Sequence, residues 1–395
     1  MGWCRYDRKE VCPSFDSDAR GGSLMSEKPS DLLPEGLEDR LPQSAAAAAR
    51  IENAAMGVLA AHGYDRVRPP LIEFEGSMAR RMDGLKTRNM FRFTDPRSLR
   101  TLALRGDITA QVGRIAATGL AEAPRPLRLA YAGMVARMLG DQLDPRREWL
   151  QLGAELVGSD SVAAAGEIVE IAIAALEAAG ATGISVDFTL PDLVDTLADS
   201  EYPLSPEQRV AVRRELDAKD AGALREAGGE AYMPLLYAAG PLAEAVEKLR
   251  AVDAGGALAS RIAGLEEIAA RVDGRARLTL DPTERHGFEY QSWFGFTLYA
   301  EGLRGALGRG GTYTIGGSGE VATGFSLFPE MLVEAVKADE QLGNRLFLPL
   351  GHDRAAAAQL RGLGWRTVAA LAPEDDGAAL GCSHVLDGGE ARPIG

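Results

Sequence analysis

Ala132-Gly133-Met134-Val135-Ala136-Arg137, a nine-residue interval, and Arg147-Glu148-Trp149-Leu150-Gln151-Leu152-Gly153-Ala154-Glu155-Leu156-Val157-Gly158 form the stretch on which the fold turns. Residues 127–135 and 148–156 are apolar runs flanking a polar loop over 138–146, the pattern of an antiparallel strand pair. Along the second run Glu148, Leu150, Leu152, Ala154 and Leu156 fall on one face, and Trp149, Gln151, Gly153 and Glu155 on the other. Gln151 and Glu155 therefore project to the same side, roughly 13 Å apart along the strand. An amide and a carboxylate flanking a glycine are either a polar pocket floor or part of a solvent-facing sheet. A long loop joining two paired strands is a frequent place for a site.

Upstream, small and apolar residues recur at helical spacing from Ser44, read as a cap, to Gly63, which stops the run. Residues 66–70 are extended, because each residue before a proline is pushed out of the helical region, with Val67 and Leu71 facing a core. Residues 89–94 and 99–104 read as strands around an Asp95-Pro96 turn, and Asp107 stands at the entrance of a helix over 108–118. Downstream, 161–179 is an Ala-rich helix ended by Gly180, and 184–188 is a short strand. Residues 191–273 are mostly helical, a subdomain or insertion. Strand character returns at 278–280, 289–300 and 321–327. Residues 346–350, 354–363 and 367–371 read as one short β-α-β element. Helices and strands mixed with antiparallel pairing argue an α+β fold. The expected domains are an extension over 1–30, a core over 31–332 and a small α/β element over 345–395.

The charge balance, 43 Lys+Arg against 57 Asp+Glu for a net −14, speaks against non-specific attachment to nucleic acid or an anionic membrane. No apolar run approaches the ~18–20 residues that cross a bilayer. Residues 1–30 carry no signal-peptide or transit-peptide pattern and read as disordered, with Met25 a second candidate start; the compartment expected is the cytoplasm. The three cysteines, Cys4, Cys12 and Cys382, have no metal-ligand spacing, so no metal or cofactor is expected. His62, His286, His352 and His384 are scattered and suit surface or packing roles. The glycine-rich passage 308–319 lacks the Gly-Lys-Ser/Thr ending of a phosphate loop and is read as turns and close strand packing.

The quoted stretch resembles the second motif of the histidyl-tRNA synthetase branch of class II synthetase folds. Leu104-Arg105-Gly106-Asp107-Ile108-Thr109 and Gln111-Val112-Gly113-Arg114 resemble the substrate-strand segment of that branch. The helix before Gly63 with Arg68-Pro69-Pro70 resembles the first motif, which implies a dimer interface there. Gly310-Gly311-Thr312-Tyr313 and Gly324-Phe325-Ser326-Leu327 resemble the end of the core. The motifs run in order from about Asp31 to Leu332 and imply a class II synthetase-like sheet flanked by helices.

Departures from that pattern shape the functional expectation. Where the resemblance implies an arginine on the ATP triphosphate stands Met331, and a thioether cannot neutralise phosphate. In the histidine-specific loop, His286 takes the arginine slot and Gln291 that of the second tyrosine, although a one-residue slip returns Arg285 to the place. Only about 50 residues follow Asn344, too few for a full anticodon-binding domain. With these departures the chain is similar to the regulatory subunits of ATP phosphoribosyltransferase. The resemblance implies a non-catalytic protein that assembles with a short-form catalytic subunit at the first step of histidine biosynthesis and transmits feedback inhibition by L-histidine. The alternative is a C-terminally shortened histidine-activating enzyme.

The retained residues suggest how histidine is held: Glu155 and Asp107 on the ammonium group, Thr109 and Gln151 as neutral contacts, Arg137 on the carboxylate, and Tyr313 as a wall against the imidazole. Glu155 paired with a nearby arginine in a ligand-free remnant, or histidine bound between subunits, are the competing readings.

Overall fold

The computed structural model describes residues 32–80, 89–140, 144–253, 255–272, 274–285, 291–338 and 344–394; the expectations for 1–30 and for His286 lie outside them. α1 (Pro42–Ala61) turns Ala47, Ile51, Ala55, Met56 and Leu59 inward. Pro42 suits the first turn, where its missing N–H has no helical partner to lose. The N-cap is Leu41, and Ser44, expected in that role, donates its hydroxyl to the Leu41 carbonyl at 3.0 Å. Gly63, at φ +79, takes the left-handed turn that releases the chain. β1 (Asp65–Arg66) then pairs in parallel with Leu129 and Ala130.

β2 (Ile72–Phe74), followed by α2 (Glu75–Ala79), joins β3 (Arg92–Thr94) and β4 (Thr101–Leu104) in a small antiparallel sheet of order β2-β4-β3. Its core is small, with Met78, Met90 and Ala103 buried together. Phe93 therefore stays 42% exposed, and Leu71, expected inward, is 46% exposed because its backbone carbonyl, accepting from Arg105 N–H, holds the segment instead. Leu99, read as part of a strand, lies in the turn at φ +56, and the strand begins at Thr101.

α3 (Thr109–Ala117) leads to β5 (Leu127–Ala136) and β6 (Glu148–Val157), which pair in continuous antiparallel register from Leu127↔Val157 to Ala136↔Glu148. α4 (Val162–Ala178) is capped by Ser161, whose Oγ accepts from Ala164 N–H at 3.2 Å. After β7 (Ser185–Thr189), the chain runs through α5 (Leu193–Ala198), α6 (Pro206–Asp217), α7 (Ala221–Glu226), a 3-10 helix over Glu230–Tyr237, β8 (Gly240–Pro241), α8 (Leu242–Val252) and α9 (Ala259–Arg271). It returns to the sheet as β9 (Arg277–Leu280), β10 (Gln291–Tyr299), β11 (Gly308–Thr314) and β12 (Val321–Leu327), and α10 (Glu330–Ala338) follows.

The large sheet has the order β1-β5-β6-β12-β11-β10-β7-β9-β8. It is mixed and not wholly antiparallel, since β1–β5 and β7–β9 are parallel pairs. Parallel neighbours require a long crossover, and the helices between β7 and β9 supply one. Gly308–Thr314 lies within the sheet, paired on both sides, so its glycines serve close strand packing. Leu150, Leu152, Ala154 and Leu156 face the helical side with α1 and α4 in the main core. Ile108, Val112, Leu129, Tyr131 and Val135 pack on the opposite side.

The C-terminal part is more than one β-α-β element. β13 (Arg345–Leu348), α11 (Arg354–Gly362) and β14 (Arg366–Ala369) are joined by β15 (His384–Asp387) and β16 (Glu390–Pro393) in a four-stranded sheet of order β14-β13-β15-β16. The hairpin between the last two turns on Gly388 and Gly389, both at positive φ, the conformation a two-residue hairpin needs.

A buried carboxylate at a sheet face: the candidate functional site

The odd-numbered face of β6 is a buried polar floor, with Gln151 0% and Glu155 1% exposed. Four further elements close over it. The turn into α3 brings Asp107 and Thr109, β5 brings Tyr131, and β11 and β12 bring Tyr313 and Ser326. Asp107 accepts from Thr109 N–H at 2.7 Å, satisfying an amide at the start of the helix. Gln151 Oε1 accepts from Ile108 N–H at 2.9 Å, so its Nε2 is left to donate to Ser326 Oγ at 2.8 Å. Having accepted there, Ser326 donates to Tyr131 Oη at 2.8 Å, and Thr109 Oγ1 lies 3.0 Å from the same oxygen. Tyr131 has one proton, and Glu155 Oε1 lies 3.3 Å away to accept it. Tyr313 donates to Glu155 Oε2 at 2.9 Å. The hydroxyl chain therefore ends on Glu155.

Two glycines make room for it. A Cβ on Gly324, which pairs with Glu155 across the strands, would overlap Glu155 Oε2, and one on Gly153 would come within 2.7 Å of the Tyr131 hydroxyl. Burial drives the Glu155 carboxyl from near 4.5 up to about 8, against the lowering effect of the Tyr313 hydroxyl. Asp107 is also pushed up by burial, with Thr109 N–H opposing. Tyr131 is raised well above its ordinary range by burial and by the charge of Glu155. The expected alternative partner for Glu155, an arginine, does not donate to it among the described residues; hydroxyls of Tyr313, Thr109 and Tyr131 do.

Arg137 lies outside this floor. It is exposed, at the hairpin end, with its guanidinium 4.9 Å from the Trp149 ring centre, a cation–π contact. It acts on Asp107 only through space. Arg105 is the buried arginine nearby, 7% exposed, donating to Met134 O at 2.8 Å and Pro69 O at 3.0 Å, so it ties β5 to the proline segment.

At position 331 the side chain has a different neighbour from the one a phosphate grip requires. Arg146 Nη2 donates to Met331 Sδ at 3.3 Å, and the same guanidinium pairs with Asp144 at 2.8 Å and Glu334 at 3.2 Å. Glu330 beside it accepts from Arg40 at 2.5 Å and from Leu150 N–H at 2.7 Å. A guanidinium thus reaches position 331 from the β5–β6 loop, with its charge already met by carboxylates. Gln291 opens β10 opposite Tyr313. Arg285 gives its backbone N–H to Asp217 Oδ1 at 2.9 Å, on the side of α6.

The structure therefore brings together Asp107, Thr109, Gln151, Glu155 and Tyr313, leaves Arg137 at the rim, and adds Tyr131 and Ser326. Ser326 stands within a stretch already singled out by motif and Tyr131 in the strand just before one, but their meeting beside Glu155 depends on the register of β5 and β12. Among the described residues no group of three His, Cys, Asp or Glu side chains is placed to hold a metal, and no helix is long and apolar enough to cross a membrane.

Comparison with known proteins bears on this geometry. The histidyl-tRNA synthetase family profile matches residues 36–332. An ATP phosphoribosyltransferase regulatory subunit from Rhodospirillum centenum is 42% identical over 373 residues, spanning 92% of this chain and 96% of that protein. Its counterpart from Paramagnetospirillum magneticum is 42% identical over 90% of this chain and 96% of its own length. Among solved structures, an ATP phosphoribosyltransferase regulatory subunit/histidyl-tRNA synthetase from Bacillus halodurans C superposes with a TM-score of 0.73 at 26% identity, covering 90% of this chain and 97% of that one. A histidyl-tRNA synthetase from Nostoc shares the fold at a TM-score of 0.72 and 15% identity. The chain belongs to the family of ATP phosphoribosyltransferase regulatory subunits, built on the histidyl-tRNA synthetase fold.

Proposed function

We propose that this chain is the regulatory subunit of a cytoplasmic ATP phosphoribosyltransferase. It binds L-histidine on the Glu155 floor, conveys feedback inhibition to a short-form catalytic subunit, and leaves the transfer chemistry to that partner. The observation that supports this reading is a combination: a buried polar floor around Glu155, and a methionine at 331 whose neighbouring Arg146 is already neutralised by Asp144 and Glu334. Glu155 and Asp107 receive the ligand ammonium, Thr109 and Gln151 orient the floor, and Tyr313 packs against the imidazole. Each charge-assisted contact contributes on the order of 1.5–3 kcal/mol. Arg137, at the rim, meets the carboxylate.

The self-association implied is a dimer with the end of α1 and residues 68–71 near the two-fold. Residues 31–332 form the ligand-binding core, 191–273 its helical insertion, and 345–395 a separate small α/β element. No cofactor, nucleic acid or membrane takes part.

The test is reconstitution. The chain is mixed with a short phosphoribosyltransferase, and ATP- and phosphoribosyl-pyrophosphate-dependent turnover is followed with increasing histidine. Stimulation together with histidine inhibition is expected, with inhibition weakened in Glu155→Gln. Histidine-dependent pyrophosphate exchange by the isolated chain would refute the reading in favour of an active synthetase. Coupling between the two subunits should be reciprocal and within ~1–3 kcal/mol.

A further inference from the structure

We infer that the ligand ammonium group and a proton compete for the Glu155 carboxyl, so that filling this site releases a proton. The inference rests on the amino-acid reading above and adds its ionic linkage.

The geometry provides for both protonation states. The Tyr131 hydroxyl lies 3.3 Å from Glu155 Oε1 and also 3.3 Å from the carbonyl oxygen of Phe325. With Glu155 ionised, Tyr131 donates to it. With Glu155 protonated, the Tyr131 proton turns to Phe325 O, and its oxygen accepts from the carboxyl O–H. In either state the Tyr131 proton has an acceptor within 3.3 Å and its oxygen a donor, so the hydroxyl does not decide between them.

The charges around the floor say which state the empty site adopts. Facing Glu155 are Asp107 from the turn into α3, Tyr131 from β5 and Tyr313 from β11; Gln151, Thr109 and Ser326 are neutral. Arg137 bears on Asp107 from the rim, and Tyr64, held between Glu167 and Arg128, senses Glu155 at longer range. Among the described residues no lysine or arginine donates to Glu155 or Asp107. Two buried carboxyl groups to which no described lysine or arginine donates cannot both stay ionised cheaply. The shift of Glu155 to about 8 agrees with that geometry.

An arriving ammonium supplies the missing cation. The Glu155 O–H bond breaks and its proton leaves to solvent. The ammonium keeps its protons and donates to the freed carboxylate, while the Tyr131 proton swings back from Phe325 O. Asp107, at 7% exposure, is the most accessible polar side chain of the floor.

Isothermal titration of the full chain with L-histidine, in buffers of differing ionisation enthalpy, counts the protons. With the carboxyl at about 8, it contributes release of about 0.9 proton at pH 7.0 and about a quarter at pH 8.5, from which the proton taken up by the unprotonated fraction of the ligand amine is subtracted. Affinity should increase about tenfold for each unit by which the pH is raised towards 8 and level off above it. Histidinol, which keeps the ammonium and lacks the carboxylate, should release the same number, and imidazole propionate, which lacks the ammonium, none. Glu155→Gln should bind without this release, leaving only the contribution of the ligand imidazole. Histidine binding by the wild-type chain with no release at pH 7.0, or with release independent of pH, would overturn the inference while leaving the receptor reading in place. No binding of histidine at all would overturn both.

Discussion

Gly324→Ala is the substitution that most directly tests the closeness of the sheet to the Glu155 carboxyl. Gly324 sits in β12 opposite Glu155 on one side and Gly311 on the other. A Cβ there would lie 2.5 Å from Glu155 Cδ and 2.7 Å from the Ala154 carbonyl oxygen, and would overlap Oε2. Overpacking of this kind costs about 1–3 kcal/mol. Displacing the carboxyl also breaks its 2.9 Å bond from Tyr313, adding about 1–3 kcal/mol for buried groups left unpaired. The expected loss is therefore roughly 2–6 kcal/mol, read as a fall in the urea midpoint at pH 7 with the slope unchanged. In a Glu155→Ala background the side-chain overlap disappears and only the contact with Ala154 O remains. Alanine at 324 should then cost at least ~1 kcal/mol less than in the wild type. Equal costs in the two backgrounds, within ~0.5 kcal/mol, would show that the carboxyl is not what fills the space above Gly324.

Other expectations follow from the same contacts. Because burial favours the neutral acid, the contribution of Glu155 to stability is fullest below pH 4.5 and is lost as pH rises towards about 8. Asp107 acts in the same direction. Stability should consequently decline by roughly 3 kcal/mol between pH 4.5 and 7 on account of Glu155, and Glu155→Gln should remove that decline; parallel urea-midpoint curves for the two proteins would refute it. Met331→Arg should not create histidine-dependent pyrophosphate exchange, since the new guanidinium meets Arg146 and the carboxylates Asp144 and Glu334, and the radiolabel exchange assay reads this directly. Ser161→Ala removes the cap on Ala164 N–H and should cost about 1 kcal/mol in urea unfolding.

Legibility differed between elements for physical reasons. The pairing of β5 with β6 was readable because strand side chains alternate with period two, and a core on one face forces Leu150, Leu152, Ala154 and Leu156 to one side. α4 was readable from its apolar spacing and its Ser161 cap. Ser44 misled because a hydroxyl near a helix start bonds equally well to a neighbouring carbonyl, and Leu99 because strand propensity yields to a turn. β15 and β16 lie beyond the β-α-β element read over 346–371, although Gly388-Gly389 is a hairpin signal, because their strands are only four residues long.

By itself, the order and spacing of motifs determined the α+β class, the synthetase-like core and the membership of Gln151 and Glu155 on one strand face, since all of these depend on periodicity and local chemistry. Tertiary structure decided what those side chains meet. Tyr131 reaches Glu155 from the neighbouring strand and Ser326 reaches Tyr131 from β12, Arg137 turns out onto Trp149, and Arg146 arrives beside Met331 from a loop 185 residues away. Such encounters depend on strand register and loop path, which local sequence does not specify. For that reason a carboxylate placed on a strand face by periodicity becomes, once folded, a buried acid met by hydroxyls and by no described lysine or arginine.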